Sequence, residues 1–126
     1  MEDLQAVSRD DAARAFGACV ALNPSGHESA QSMAARSANF VYSTETGRVV
    51  YGVMRNGETL WCVAAAGQGS GMARAGLDYL ERQARANRCS RVGFQTVRRG
   101  LVRIAEKQGF EVVRQVGTGF VLEKRV

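Results

Sequence analysis

The sequence predicts one α+β domain whose elements follow the order ααβββαβαββ. Segments with helical spacing of apolar residues alternate with runs of β-branched and aromatic residues. In the middle of the chain, a strand, a helix and a second strand follow one another as in a parallel crossover unit. A chain of 126 residues with 45% hydrophobic content can bury one core but not two. We therefore expect a single domain over residues 1–126.

The first two predicted elements form a helical hairpin. Residues 9–22 carry apolar side chains at the i, i+3, i+4 spacing of an amphipathic helix, namely Ala12, Ala15, Phe16, Cys19 and Val20. The Asn-Pro-Ser-Gly sequence at residues 23–26 ends this helix. A shorter helix is expected over residues 30–38, weakened by serines of low helix propensity.

Three antiparallel strands follow the hairpin. Residues 39–43 and 48–54 are rich in β-branched and aromatic side chains, and Thr46-Gly47 marks the turn between them. The dipeptide Asn56-Gly57 is a strong hairpin signal, and it precedes a third strand at residues 59–65.

A glycine-rich loop and a long helix come next. The helix is expected over residues 72–87, with an apolar face made of Met72, Gly76, Leu80 and Ala84. Its outer face carries the pairs Asp78–Arg82 and Glu81–Arg85 at i, i+4 spacing.

The C-terminal part predicts a strand, a short helix and two further strands. The strands are expected over residues 91–96, 111–116 and 118–124, and the helix over residues 101–108. Gly109 is placed to end this helix in the left-handed conformation, with Phe110 packing back against it.

Composition excludes several classes of protein. No segment approaches 18 consecutive apolar residues, and the N-terminus has no signal-peptide pattern, so we expect neither a membrane span nor export. The cysteines Cys19, Cys62 and Cys89 are far apart and, together with the single His27, match no metal-site spacing. We expect no metal, reduced thiols and a cytoplasmic protein.

Positive charge is concentrated in the second half of the chain. Residues 1–71 carry five positive and seven acidic side chains, whereas residues 72–126 carry twelve and five. The second half should attract polyanions. A phosphate-bearing cofactor, a nucleic acid or an acidic protein face could each be that partner, and a solvated basic surface is the alternative without a partner.

The segment from residue 60 to residue 87 indicates a phosphate site. Residues 67–71 read Gly-Gln-Gly-Ser-Gly and lie between a strand and a helix. Glycines permit close backbone approach, and a helix N-terminus presents unpaired N–H groups with a partial positive charge. The loop matches neither a Walker A motif nor a Rossmann turn.

Two motifs in the expected order resemble the GCN5-related N-acetyltransferase (GNAT) family. Gln68-Gly69-Ser70-Gly71-Met72-Ala73 is similar to the family's Q/R-x-x-G-x-G/A motif, and residues 106–110, Glu-Lys-Gln-Gly-Phe, are similar to its E-K-x-G-F signature. The element order agrees over nearly the whole chain. The resemblance implies a mixed central sheet with splayed parallel strands on either side of the cofactor helix. It also implies an acetyl-CoA-dependent N-acetyltransferase that transfers an acetyl group directly to an amine.

The resemblance implies ten cofactor contacts. The pantetheine arm would pair with the strand before the loop at Cys62, Val63 and Ala64. The pyrophosphate would lie on the loop and the helix start, at Gln68, Gly69, Ser70, Gly71, Met72 and Ala73. Arg74, in the first helical turn, would add a charge-assisted contact to a phosphate.

Two positions that serve catalysis in the family differ in this chain. Ala105 stands where the family has a tyrosine that protonates the departing thiolate, a contribution of about 10²- to 10⁴-fold. Arg98 stands where an asparagine is common. The candidates for a general base are His27, in the loop between the first two helices, and Glu58, before the third strand. For each, an exposed residue without a catalytic role is the alternative.

Two other functions compete with the transferase. A GNAT-fold protein without catalytic activity could be a binding or structural component of a larger assembly, such as a phage particle. Nucleic-acid binding by the basic half ranks last, because its aromatic side chains Tyr79 and Phe94 occupy expected core positions. The exposed C-terminal strands would offer an edge for a homodimer. The amine acceptor stays open.

Overall fold

A computed structural model describes residues 2–20 and 28–126 of the chain. The elements are, in order, β1 (Asp3–Ala6), α1 (Arg9–Val20), α2 (Ala30–Ala35), β2 (Ala38–Thr44), β3 (Gly47–Asn56), β4 (Thr59–Gly69), α3 (Met72–Ala86), β5 (Arg91–Thr96), α4 (Arg99–Lys107), β6 (Glu111–Val116) and β7 (Gly119–Arg125). No helix of this described part is both long and apolar enough to cross a membrane.

The strands form one mixed sheet in the order β1-β2-β3-β4-β5-β7-β6. Neighbouring strands are antiparallel except β4 and β5, which are parallel and joined by α3. The predicted α+β class is therefore confirmed, as are all ten predicted elements: β5 and β6 have the predicted bounds, and the others have shifted ends. The predicted end of the first helix at residues 21 and 22, and its stop at residues 23–26, lie outside the described residues.

The predicted order was wrong in one respect, because it omits β1. This strand has four mostly exposed residues and no apolar alternation. It exists because its backbone pairs with β2, from Asp3 opposite Ser43 to Ala6 opposite Phe40. A partner nearly 40 residues away in sequence leaves no local pattern to recognise.

Helices cover both faces of the sheet, and the described residues bury a separate core on each face of this one sheet, where the sequence predicted a single core. α3 and α4 pack on one side, called here the α3 face, over a core that includes Leu77, Leu80 and Phe94. α1 and α2 pack on the opposite side, the α1 face, where Phe16 and Met33 meet Ala64 of β4. The site described below lies where β4 separates these cores.

The predicted outer face of α3 was wrong at Glu81. This residue is only 8% exposed, and its carboxylate accepts hydrogen bonds from Arg85 at 2.6 Å and from Lys124 at 2.8 Å. The buried stripe of the helix is centred on Leu77, Leu80 and Ala84, and Glu81 lies at its edge. Helical spacing revealed the partner Arg85, but Lys124 comes from β7 and only the folded chain brings it near.

Candidate cofactor site

A cavity of about 650 Å³ lies between β4 and β5. Its walls come from β3, β4, α3, β5 and α4, together with Met33 of α2. Leu77 and Leu80 belong to the core of the α3 face, whereas Met33 belongs to the core of the α1 face. Lining residues thus come from both faces, and the cavity passes through the plane of the sheet.

The cavity exists because β4 changes direction at Val63. In the ladder with β3, Val53 pairs with Cys62 and Gly52 with Ala64, so Val63 is one extra residue, a β-bulge. Bulges bend a strand and increase its twist. The parallel ladder with β5 ends immediately before the bulge, at Cys62 and Phe94. Beyond that point β4 continues along β3 and β5 continues along β7, and the two strands diverge.

The N-terminus of α3 lies beside this cavity. Gly71 caps the helix in the left-handed conformation, with φ of 72°, and no side chain caps the first turn. No acidic side chain occupies that turn, and a Cβ built on Gly71 would meet no atom within 4 Å. The N-terminus of α3 therefore has no capping side chain, and the helix dipole there favours an anion.

Gly69 is required for a different reason. Its φ is +113°, and a Cβ there would overlap the carbonyl oxygen of Thr46 and the Cα of Gly47 in the β2–β3 turn. Residues 67–69, which we expected in a loop, are the end of β4 and pair with the start of β3. The glycine is therefore needed for close strand packing, whether or not a ligand binds.

No protein-family model matches the sequence, and no curated protein matches it either. Solved structures do match. The ribosomal-protein-S18-alanine N-acetyltransferase from Escherichia coli aligns with a TM-score of 0.71 at 13% identity, over 100% of this chain and 94% of that chain. A Bacillus subtilis acetyltransferase in complex with CoA aligns with a TM-score of 0.70 at 14% identity, over 99% of this chain and 97% of that chain. A chain of the NatC complex bound to Gag peptide and CoA aligns with a TM-score of 0.66 at 11% identity, over 99% of this chain and 98% of that chain.

The chain has the GNAT fold. The likeness extends over nearly the whole length of each chain, and identities of 11–14% show the fold alone. The splayed parallel strands that the resemblance implied for this fold are the β4 and β5 described above.

Six of the ten cofactor contacts implied by the GNAT resemblance line the cavity, namely Cys62, Val63, Ala64, Gly69, Met72 and Ala73. The other four are exposed on the adjoining loop and first helical turn, namely Gln68, Ser70, Gly71 and Arg74. The structure thus brings the ten residues together around one end of α3. Their role in binding stays a prediction.

The structure does not bring Glu58 to the cavity. Glu58 is exposed in the β3–β4 turn, at the end of β4 remote from the glycine-rich loop. Its carboxylate accepts a hydrogen bond from the hydroxyl of Ser90 at 3.2 Å, and its carbonyl accepts one from the N–H of Ser90 at 2.9 Å. The other candidate base, His27, lies outside the described residues.

Sequence reasoning missed three polar side chains in the cavity wall, those of Tyr51, Gln95 and Thr96. The Tyr51 hydroxyl donates to Oε1 of Gln83 at 2.8 Å, and burial raises the pKa of the phenol. Tyr51 is therefore a neutral donor at physiological pH. The Thr96 hydroxyl accepts from the backbone N–H of Arg98 at 3.1 Å. Strand alternation alone could have placed Tyr51 beside Val49, but not beside a cavity.

The two departures from the GNAT pattern occupy different surroundings. Ala105 is fully buried in the core of the α3 face. Arg98 is exposed at the start of α4, and among the described lining residues it is the one charged side chain. The described wall therefore suits neutral or anionic ligands. Within the described chain, no three His, Cys, Asp or Glu side chains are grouped closely enough to hold a metal ion.

Proposed function

We propose that this protein binds acetyl-CoA between β4 and β5 and transfers the acetyl group to an amine. One observation carries the proposal: the Val63 bulge opens a cavity between parallel strands, with an uncapped helix N-terminus beside it. The GNAT fold and the CoA complex of the Bacillus subtilis neighbour support it.

The chemistry of the wall fits the parts of this cofactor. A volume of about 650 Å³ falls within the range of roughly 300–1,000 Å³ usual for ligand sites. Apolar residues such as Met72, Leu77 and Leu80 suit the thin pantetheine arm. Beyond Cys62 the backbone of β4 faces the gap rather than β5, in position to pair with the amides of that arm. The N-terminus of α3 suits the pyrophosphate.

Acetyl transfer needs little covalent chemistry from the protein. The acceptor nitrogen bonds to the thioester carbonyl carbon, the carbon–sulfur bond breaks, the amine loses a proton and the thiolate gains one. Residues of the cavity hold the two reactants together and exclude water. Because position 105 is alanine, we expect solvent or another donor to protonate the thiolate. Turnover should then be about 10²- to 10⁴-fold slower than in an enzyme with a positioned general acid.

A second function is favoured by the same position. With Ala105 fully buried, and no carboxylate among the described lining residues, the site has few groups suited to proton transfer. A GNAT-fold protein that binds CoA, or only keeps the fold, as part of a larger assembly would need none. Measuring binding and turnover separately distinguishes these functions.

The decisive experiment places a negative charge where the pyrophosphate would lie. Ala73 is exposed in the first turn of α3, where a carboxylate is compatible with the helix dipole. We expect Ala73→Glu to fold normally and to weaken acetyl-CoA binding at least about tenfold in calorimetric titration. Ala73→Gln, of the same size but neutral, should bind nearly as the unchanged protein does. Gly71→Glu is a poorer choice because its φ of 72° strains any side chain.

The outcomes separate the functions. Binding that raises the melting temperature and is lost only in the glutamate variant supports the cofactor site. Release of free thiol from acetyl-CoA in the presence of amines then establishes transfer. Binding without thiol release leaves the non-catalytic function, and absence of binding at millimolar cofactor overturns the proposal.

A further inference from the structure

The edge strand β6 carries the most unusual apolar surface of the described chain. Val112 and Val113 are 40% and 52% exposed, and they are the large hydrophobic side chains that the described residues leave in solvent. β6 ends the sheet, and five of its six residues are exposed. Its outer backbone groups therefore offer a template for another strand.

We propose that two copies of this chain pair through β6 in antiparallel fashion, so that one sheet continues across a two-fold axis. The local sequence Glu-Val-Val-Arg at residues 111–114 supports a second copy as the partner. It places an apolar pair between opposite charges, and an antiparallel copy of it presents the same pattern reversed. A strand with these features complements itself, as a two-fold interface requires.

The bulge in β6 sets the register. Along β7, Val112 lies opposite Leu122 and Arg114 opposite Val121, so Val113 is the extra residue. With Val113 out of the ladder, Glu111 and Arg114 are two ladder positions apart and share one face of the sheet. Pairing centred on Val112 then sets Glu111 of each copy opposite Arg114 of the second copy. The two-fold axis therefore produces two such Glu111–Arg114 pairs, one on each side. The exposed valines of both copies become buried in the interface, which stabilises the dimer.

The opposite edge of the sheet lacks these features. β1 has four residues, and its one larger apolar side chain, Leu4, is partly buried against the core. Bulges and charges can also protect an edge from pairing. In β6, however, the exposed valines lie between the charges, and the two charges have opposite sign. This arrangement favours pairing with a copy of itself.

The proposed interface is separate from the cofactor cavity. No residue of β6 is among the described residues that line the cavity. The dimer therefore does not depend on the proposed function, and a monomeric variant should keep the affinity of the unchanged protein for acetyl-CoA.

A charge-reversal series tests the register by sedimentation equilibrium over a concentration range. Glu111→Arg and Arg114→Glu each turn two attractive cross-strand pairs into two repulsive ones, and each should weaken dimerisation at least about tenfold. The double variant Glu111→Arg/Arg114→Glu restores opposite charges and should restore the dimer. Glu111→Arg should not unfold the chain, because it replaces a carboxylate that lies opposite Glu123 within the sheet.

Val112→Lys brings two ammonium groups together at the axis and should give a monomer. Arg103→Glu on the exposed side of α4 makes the same change in net charge as Arg114→Glu and should leave the dimer intact. Melting curves confirm that each variant is folded. A monomeric unchanged protein at high micromolar concentration overturns the proposal. So does a dimer that persists in Val112→Lys, or a double variant that stays monomeric.

Discussion

The carboxylate of Glu2 shows how a single residue attaches the start of the described chain to α3. It accepts hydrogen bonds from both terminal nitrogens of Arg82, at 2.9 and 2.8 Å, and from the hydroxyl of Tyr42 at 2.6 Å. The Arg82 guanidinium also lies 4.8 Å from the ring centre of Tyr79, which stacks on Tyr42 at 4.3 Å. These bonds, led by those from Arg82, lower the pKa of Glu2 from 4.5 to about 2.

This shift predicts a loss of stability in acid. Because the carboxyl binds its proton less tightly in the folded than in the unfolded chain, its contribution is complete above about pH 4.5 and disappears toward pH 2. We expect Glu2→Gln to lower the free energy of unfolding at pH 7, and the difference from the unchanged protein to shrink as the pH falls through this window. Urea denaturation at several pH values measures it.

Asp3→Asn is the control for that experiment, because Asp3 is an exposed neighbour of Glu2, and the carboxylate bonded to Arg82 is that of Glu2. An equal loss of stability in both variants, or a difference for Glu2→Gln that is unchanged at pH 2, would contradict the account. Since the pair is exposed, high salt should reduce the effect at neutral pH.

At the scale of elements, α3 and α4 end in the same way with different residues. In α3, the N–H of Cys89 donates to Ala84 O at 2.9 Å and the N–H of Arg88 to Arg85 O at 3.1 Å, a Schellman motif. Phe110 N–H donates to Ala105 O at 3.0 Å in the matching end of α4. The left-handed position is Gly109 in α4, as expected from the sequence, but in α3 it is Arg88, with φ of 58°.

This difference predicts opposite effects of two substitutions. Arg88 is exposed, so Arg88→Gly should relieve backbone strain at little cost in packing and stabilise the protein by about 0.5–1 kcal/mol. Gly109→Ala should destabilise it by about 1 kcal/mol or more, because its φ is 95° and the new Cβ would lie 3.2 Å from Cε of Lys124. Chemical denaturation measures the free energy of unfolding of both variants. A change of the same sign in the two would contradict the account that both positions require the left-handed conformation.

At the scale of the whole molecule, the sheet is continuous except where β4 and β5 separate. A ligand in that gap would bridge the two halves of the sheet and the N-terminus of α3. We expect acetyl-CoA to slow amide hydrogen exchange in residues 63–69 and in the first turn of α3, with no change in β6. Mass spectrometry of exchanged peptides measures this, and Ala73→Glu is the control without binding. Protection confined to other regions would place the ligand elsewhere.

Local chemistry was enough to predict most of the elements of this fold. The Asn56-Gly57 turn and the glycine of the α4 cap were recognisable because each depends on backbone preferences of neighbouring residues. The glycine-rich sequence of residues 67–71 likewise predicted the start of α3 at Met72. Periodicity could not reveal β1, because that strand depends on β2 rather than on its own residues.

The sequence by itself determined ten of the eleven described helices and strands and the position of the glycine-rich segment before α3, since these follow from short-range preferences. Only the tertiary structure decided the cavity, because the Val63 bulge is defined by the register of β4 against β3, and the gap by the register of β4 against β5. It also brought Tyr51 and Thr96 into the cavity wall and left Glu58 at the far end of β4. Contacts between residues distant in sequence form these features, and no local pattern encodes such contacts.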